Sequence, residues 1–254
     1  MKNSIILDSF CYDYLFENLN LIIPKNSFIT ISGPNNCGKT TLLRVLNREL
    51  ITSNKILIED RNINEYRIEE YSKLVQTVIP LEIVFKEETV LEELSLINPL
   101  KKDINRVLGE LKIKDHINKK INELSSKEIV LIQLAISLLR KPSILLIDDL
   151  NSYLDRKTIK EVLKTLNKYK DKITIIYTTI NLEDTIDTDH LYIISDRKIA
   201  LEGEPLEVLQ RDNIINKIGL KLPFMVDLSV KLKDYELINS IELEPIRMVN
   251  KLWK

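Results

Sequence analysis

The stretch that decides the fold is Gly33-Pro34-Asn35-Asn36-Cys37-Gly38-Lys39-Thr40, which fits the G-x-x-x-x-G-K-[ST] pattern of a phosphate-binding loop. It follows an apolar run with strand character, 28–31, and precedes a run suited to a helix, 41–46. In this order, backbone N–H groups and a helix N-terminus surround a polyphosphate. We therefore predict that the chain binds a nucleoside triphosphate.

Each position of the loop has a predicted role. Gly33 and Gly38, two of only five glycines in the chain, let the backbone turn and approach the phosphates. Asn36 tolerates a left-handed conformation. Lys39 is predicted to reach the β- and γ-phosphates, and the Thr40 hydroxyl to bind Mg²⁺. The other predicted nucleotide-binding residues are Pro34, Asn35, Cys37 and Thr41.

Composition excludes several classes of protein. The chain has 37 basic and 38 acidic residues, so no bulk charge favours nucleic acid or anionic lipid. One of its two cysteines, Cys37, lies in the phosphate loop, which argues against a structural disulfide. No signal peptide is expected before the first strand. The longest apolar run, 129–139, is shorter than the about 20 residues that a membrane-spanning helix needs.

Hydrophobic periodicity predicts alternating strands and helices. A phosphate loop among such elements indicates an α/β layered fold. The predicted strands are 4–7, 19–23, 28–31, 55–59, 73–78, 143–147, 172–179, 191–195 and 199–202, and the predicted helical regions are 88–122, 126–140 and 158–169.

A second motif follows the predicted helices 88–122 and 126–140 in the sequence. Four apolar residues, 144–147, end in Asp148 and form a Walker B pattern, in which a buried strand delivers a carboxylate to the Mg²⁺ that Thr40 also contacts. Alone this signal is weak, and its position strengthens it. Leu124-Ser125-Ser126-Lys127-Glu128 precedes it, Ser152-Tyr153-Leu154-Asp155 follows it, and Gln76 ends a predicted strand between the two motifs.

This order of motifs resembles the ATP-binding cassette (ABC) ATPases over residues 1–210. The resemblance implies a P-loop NTPase domain with an antiparallel β edge, a helical subdomain at about 82–142, and Mg²⁺ with ATP. It also implies that Tyr12 stacks on adenine, and that Gln76 contacts Mg²⁺ and senses a membrane partner. Two alternatives stay open: Tyr12 as an aromatic packed on the core, and Gln76 as a polar residue at a strand end.

The tail is similar to that of energy-coupling factor (ECF) transporter ATPases. The similarity lies in Gly203–Leu209 and in 218–224, followed by Leu228 and Leu232. It implies that 211–254 form a C-terminal helical extension used in dimerisation. The alternative is an ordinary amphipathic helix, with Pro223 in its first turn and Phe224, Leu228 and Leu232 spaced four apart.

The chain departs from the family at residues that carry out hydrolysis. Asp149 stands where the family has the glutamate that orients water, and Ile180 stands where it has histidine. Neither His116 nor His190 lies at that position, and we interpret both as surface residues. Loss of a positioned base lowers a rate by roughly 10²–10⁴, so we predict reduced activity in this chain's own site.

The signature segment and the residue after the D-loop also differ. Ser126, Lys127 and Glu128 replace Gly-Gly-Gln in the signature that the family offers in trans, and Arg156 follows the D-loop Asp155 in place of proline. A second interpretation of Ser125 to Glu128 is a capping box, and both interpretations can hold.

The resemblance implies an ATP-binding subunit of a membrane importer, of ECF type, for a vitamin or metal ion. It would lie peripherally on the cytoplasmic face of the membrane. Its partners would be a transmembrane coupling subunit and a second ABC ATPase, with a heterodimer favoured. The alternatives are a non-catalytic nucleotide-binding partner and a soluble ABC protein of DNA repair or translation. The second is disfavoured because the chain lacks a second cassette, a coiled-coil insertion and a basic patch.

Overall fold

A computed structural model describes residues 2–253. The strands are β1 (Asn3–Tyr12), β2 (Phe16–Pro24), β3 (Phe28–Ser32), β4 (Ile56–Ile58), β5 (Arg61–Asn62), β6 (Val75–Val78), β7 (Ile144–Ile147), β8 (Thr174–Thr179), β9 (His190–Ser195) and β10 (Lys198–Gly203). The helices are α1 (Lys39–Leu46), α2 (Ile68–Leu74), α3 (Val90–Ile97), α4 (Lys101–Glu110), α5 (Ser126–Leu139), α6 (Arg156–Asn167), α7 (Pro205–Leu209), α8 (Asp212–Ile218), α9 (Phe224–Asp234) and α10 (Pro245–Leu252).

The central sheet has six strands in the order β10-β9-β3-β8-β7-β6, parallel except for β10. Its inner strands β3, β7 and β8 are buried along their whole length because other elements cover both faces of the sheet, and all four residues of β7 are apolar. The carboxyl ends of parallel strands share one edge. That edge therefore carries the phosphate loop after β3 and Asp148 after β7.

An antiparallel sheet, in the order β2-β1-β4-β5, covers one face together with α1. Alternation along β2 drives this packing, because Leu19, Leu21 and Ile23 are fully buried while the residues between them are exposed. The predicted α/β fold with an antiparallel β edge is thus confirmed.

Helices inserted between β6 and β7 cover the other face. Ten of the 14 residues of α5 are buried, since α3 and α4 pack on one side of it and the sheet on the other. The predicted strand at 73–78 is too long. Lys73 and Leu74 close the last turn of α2, whose Tyr71 hydroxyl donates to the Leu46 carbonyl at the end of α1.

The C-terminal helices pack on the domain. Val226 and Val230 of α9 join Leu191 and Ile193 of β9 in one apolar cluster. The apolar stripe predicted for this helix was Phe224, Leu228 and Leu232. None of the three is among the buried residues of α9, and Phe224 is 76% exposed. No helix within residues 2–253 is both long and apolar enough to cross a bilayer.

Candidate functional site

Two glycines of the phosphate loop sit where a side chain has no room. A Cβ on Gly33 would lie 2.4 Å from the Ile194 carbonyl oxygen. A Cβ on Gly38, whose φ is +100°, would lie 2.5 Å from Cζ of the buried Phe16. Between them Asn36 has φ 63°, the left-handed region that asparagine tolerates. The loop is thus pressed onto the sheets beneath it.

The side chain of Lys39 folds back onto the first residues of the phosphate loop. Lys39 Nζ donates to the carbonyls of Gly33 (2.7 Å) and Pro34 (2.8 Å), with Cys37 Sγ at 3.7 Å. An ammonium with three donors can move from such carbonyls to phosphate oxygens, which carry more negative charge.

Thr40 and Asp148 meet at the carboxyl edge of the sheet. The Thr40 hydroxyl donates to Asp148 Oδ2 at 2.7 Å, and the buried Thr178 hydroxyl donates to Oδ1 at 2.5 Å. Thr178 thereby fixes the rotamer of a carboxylate that is itself buried. Hydroxyl and carboxylate oxygens are hard ligands of the kind Mg²⁺ takes.

A cleft of about 630 Å³ opens above these residues. It is lined by Tyr14, Leu15, Asn35, Asn36, Gly38, Lys39, Thr40, Thr41, Asp148 and Asp149. Tyr12 is not among them. Its ring stacks on the buried Phe10 with centroids 6.2 Å apart, because residues two apart in a strand face the same side. Tyr14, in the turn between β1 and β2 and 72% exposed, is the aromatic of the cleft. Sequence reasoning missed it, although turn residues between paired strands project from the sheet.

Gln76 lies away from this cleft, contrary to the predicted Mg²⁺ contact. It pairs with Leu145 of β7 in the parallel register. Leu145 precedes Asp148 by three residues, so Gln76 lies about 10 Å along the strand direction from the level of Asp148. Its amide is used by protein groups: Nε2 donates to the Val75 carbonyl at 3.1 Å, and Oε1 accepts from Arg140 at 2.9 Å. The predicted strand began two residues too early but ended at Val78 as observed, so Gln76 lies within β6 and not at its end.

Asp149 lines the cleft as predicted from its place after Asp148. Its Oδ1 accepts from the backbone N–H of Asn151 (3.0 Å) and from Asn151 Nδ2 (2.9 Å). It therefore also caps the short helical turn that follows β7. Ile180 follows the end of β8 and packs against an apolar cluster, so it offers no polar group at the position of the family histidine.

The signature segment adopts the capping box. Ser125 Oγ accepts from the Glu128 N–H, and the Glu128 carboxylate accepts from the Ser125 N–H at 2.7 Å. Ser126 begins α5. Lys127 Nζ donates to Asp155 Oδ2 (2.6 Å) and Thr158 Oγ1 (2.7 Å), so its charge is paired within the chain.

The two histidines are not the plain surface residues expected. His116 Nε2 lies 2.5 Å from Glu128 Oε1, where Lys119 Nζ also donates at 2.8 Å. Hydrogen bonds from Lys119 and then from Ser125 lower the pKa of Glu128 to about 2. His190 is half-buried against Tyr192, and burial lowers its pKa.

The sequence profile of the ABC transporter family matches residues 16–152, more than half of the chain. The chain belongs to the ABC transporter family. This ABC ATPase is 30% identical over 244 residues to a putative ABC transporter ATP-binding protein of Methanosarcina mazei, covering 90% of the chain and 89% of the relative. It is also 30% identical to the energy-coupling factor transporter ATP-binding protein EcfA of Methanosarcina acetivorans, covering 91% and 90%.

A solved structure shares the fold. CbiO1 of Clostridium perfringens, described as part of the ABC transporter complex CbiONQ, superposes with a TM-score of 0.74 at 23% identity. The superposition covers 90% of this chain and 99% of that one. The resemblance to ABC ATPases, with ECF proteins among the relatives, is therefore confirmed.

Proposed function

We propose that this chain is the ATP-binding subunit of an ECF-type importer and binds Mg-ATP at its own phosphate loop. The contact between Thr40 and Asp148 beneath the loop carries this proposal, because it brings together the two oxygen ligands that a nucleotide-bound Mg²⁺ needs. Within residues 2–253 no group of three His, Cys, Asp or Glu side chains could hold a metal. Phosphate and water oxygens would thus complete the coordination. Bound Mg²⁺ would neutralise charge on the phosphates.

Titration with a fluorescent ATP analogue tests the site. Lys39→Ala removes the charge-assisted phosphate contact, and we expect a Kd at least about tenfold higher. Lys101→Ala, on the exposed start of α4, is the control and should leave the Kd unchanged. Equal affinities for Lys39→Ala and wild type would refute the proposed site.

For the adenine contact we propose Tyr14 in place of Tyr12. Tyr14 is exposed beside the phosphate loop, whereas the Tyr12 ring already stacks on Phe10. Tyr14→Ala should weaken ATP binding while leaving triphosphate binding unchanged. If Tyr14→Ala binds ATP like wild type, the adenine lies elsewhere.

Hydrolysis in this site is proposed to be slow. Asp149 is one methylene shorter than glutamate, and Ile180 provides no donor. We expect Asp149→Glu combined with Ile180→His to raise turnover when a partner supplies an intact signature. The measurement is single-site turnover in a dimer whose partner carries a blocked phosphate loop. No gain over the unmodified chain would contradict this explanation, and no hydrolysis in either form would favour a purely regulatory nucleotide-binding role.

A second ABC ATPase, in a heterodimer, is the proposed partner at the ATP site. A homodimer would combine Asp149, Ile180 and the altered signature in both sites. The C-terminal extension supports a partner, since it exposes large apolar side chains: Phe224, Tyr235, Leu237, Ile246, Val249 and Trp253. Co-purification from the native source should recover a second ATP-binding chain. Recovery only as a homodimer that hydrolyses ATP at about 1 s⁻¹ or faster would overturn the heterodimer.

The transmembrane coupling subunit is proposed to dock beside Gln76, on the cytoplasmic face of the membrane. Gln76 lines a groove with Arg48 and Arg140, and Ile68 at its rim is 79% exposed. Ile68→Asp should reduce co-purification with the membrane protein without changing ATP affinity. Leu96→Asp, a 55% exposed position on α3, is the matched control. Equal recovery with both variants would exclude this groove.

For the cargo we propose a vitamin or a metal ion, as expected of an ECF-type importer. Relatives named as ECF transporter ATP-binding proteins support it, over 90–91% of this chain. Deletion of the gene should abolish uptake of one such nutrient, and complementation with Lys39→Ala should not restore it. A strain that takes up vitamins and metal ions normally would contradict the assignment.

A further inference from the structure

A single amide joins the cleft carboxylate to a second, buried carboxylate. Asn151 Nδ2 lies 2.9 Å from Asp149 Oδ1 and 3.0 Å from Asp184 Oδ2. Thr179 Oγ1 is at 3.0 Å and the Tyr177 hydroxyl at 3.3 Å. Asn151 therefore bridges the end of β7 and the end of β8.

The chemistry of these groups fixes the orientation of the amide. An ionised carboxylate only accepts hydrogen bonds, and an asparagine amide has two N–H donors. Both N–H bonds are thus directed to Asp149 and Asp184, because the carbonyl oxygen in that place would face two acceptors. An aspartate at 151 would have the same shape and no donor.

Asp184 is a fixed anchor for this bridge. It is 4% exposed, and its Oδ1 accepts from Arg156 Nη1 at 2.6 Å. Burial and then the charge of Asp184 raise the pKa of Tyr177 well above its usual range, so the Tyr177 hydroxyl stays a donor. The anchor therefore has a cation and polar donors around it, and it can hold the Asn151 amide in one place.

Within residues 2–253, both hydrogen bonds to the Asp149 carboxylate end on Oδ1. Oδ2 keeps its lone pairs for the cleft that the residue lines. A short carboxylate works on a substrate water only from a fixed geometry, because a misplacement of about 1 Å can cost 10²-fold in rate.

We propose that Asn151 is a positioning residue for ATP hydrolysis: its amide, anchored on Asp184, holds Oδ1 of Asp149 so that Oδ2 is directed at the attacking water. This inference rests on the proposed function, hydrolysis of Mg-ATP at this chain's phosphate loop. Arg156, at the position where the resemblance expects proline, acts through Asp184 and belongs to the same unit.

The test compares three full-length variants with wild type. Phosphate release at saturating Mg-ATP and KM are measured in the dimer whose partner carries a blocked phosphate loop, and binding of a fluorescent ATP analogue and urea unfolding are measured on the chain alone. Asn151→Asp removes the donors, and we expect kcat to fall roughly 10- to 100-fold, the effect of losing a hydrogen bond to a charged group. KM and the analogue Kd should stay within about twofold. Asn216→Asp, the same change on the exposed face of α8, is the control.

The double variant Asn151→Asp/Asp184→Asn separates positioning from folding. It restores an amide–carboxylate bond between positions 151 and 184 and keeps the net charge of wild type, so unfolding stability should recover in part, with Arg156 bonded to a neutral amide oxygen. The bond to Asp149 stays absent, so kcat should remain low. Recovery of kcat together with stability would show a structural role only and overturn the inference. Wild-type kcat in Asn151→Asp would also overturn it, whereas no phosphate release from wild type would overturn the proposed hydrolysis and the inference with it.

Discussion

Two glycine-to-alanine substitutions in this chain should change stability in opposite directions. Gly38→Ala places a methyl group 2.5 Å from Phe16 Cζ, and Phe16 is only 1% exposed, so its ring cannot move into solvent. Overpacking of this kind costs about 1–3 kcal/mol. The φ of +100° adds roughly 1–2 kcal/mol for a residue with a Cβ. We therefore expect the free energy of unfolding to fall by about 2–5 kcal/mol.

Gly109→Ala is the matched control. Gly109 lies in α4, and no neighbouring heavy atom lies within 4 Å of the place that an alanine Cβ would take, so alanine only removes backbone freedom from the unfolded chain. A gain of about 0.5–1 kcal/mol is expected.

Urea unfolding at constant m-value measures both changes. In a Phe16→Leu background the steric part disappears, because leucine lacks the ring atoms that Gly38→Ala would meet. Gly38→Ala should then cost only about 1–2 kcal/mol, the conformational part. The reasoning fails if both alanines shift stability in the same direction, or if the background leaves the cost unchanged.

Two further predictions concern charge. Arg156→Met should lower stability by about 1.5–3 kcal/mol, the value of a hydrogen bond to a charged group, because the Asp184 carboxylate that it leaves unpaired is buried. Arg247→Met, in an exposed ion pair, should change stability by no more than about 0.5 kcal/mol, and equal effects in denaturant titrations would contradict this. Because hydrogen bonds from Lys119 and Ser125 depress the pKa of Glu128 to about 2, its stabilisation is complete above the usual value of 4.5 and is lost as pH falls towards about 2. The stability difference between wild type and Glu128→Gln should shrink over that range, and a constant difference down to pH 2 would show that Glu128 is not held in this way.

Local chemistry explains what could be read from the sequence. The phosphate loop depends on a few consecutive residues: glycine where a Cβ has no room, and asparagine at φ 63°. The meeting of Thr40 and Asp148 follows from parallel strands sharing a carboxyl edge. The capping box at Ser125 is likewise local.

The features of the site that could not be predicted from the sequence depend on strand register and on contacts between residues distant in sequence. The place of Gln76 is set by its pairing with Leu145, which a propensity pattern does not reveal. The contact of Tyr12 with Phe10 could not be predicted either, because it depends on how the strand face that carries both residues packs in the second sheet. The bridge from Asn151 to Asp184 joins residues 33 positions apart, and nothing in either local segment signals it.

The contact between Lys127 and Asp155 depends on the salt concentration in a way that the buried sheet does not. It joins the first turn of α5 to the N-cap of α6. Both side chains are about half exposed, so dissolved ions compete with the contact. The contact therefore weakens as ionic strength rises, while the parallel sheet beneath it, held by burial, keeps its shape.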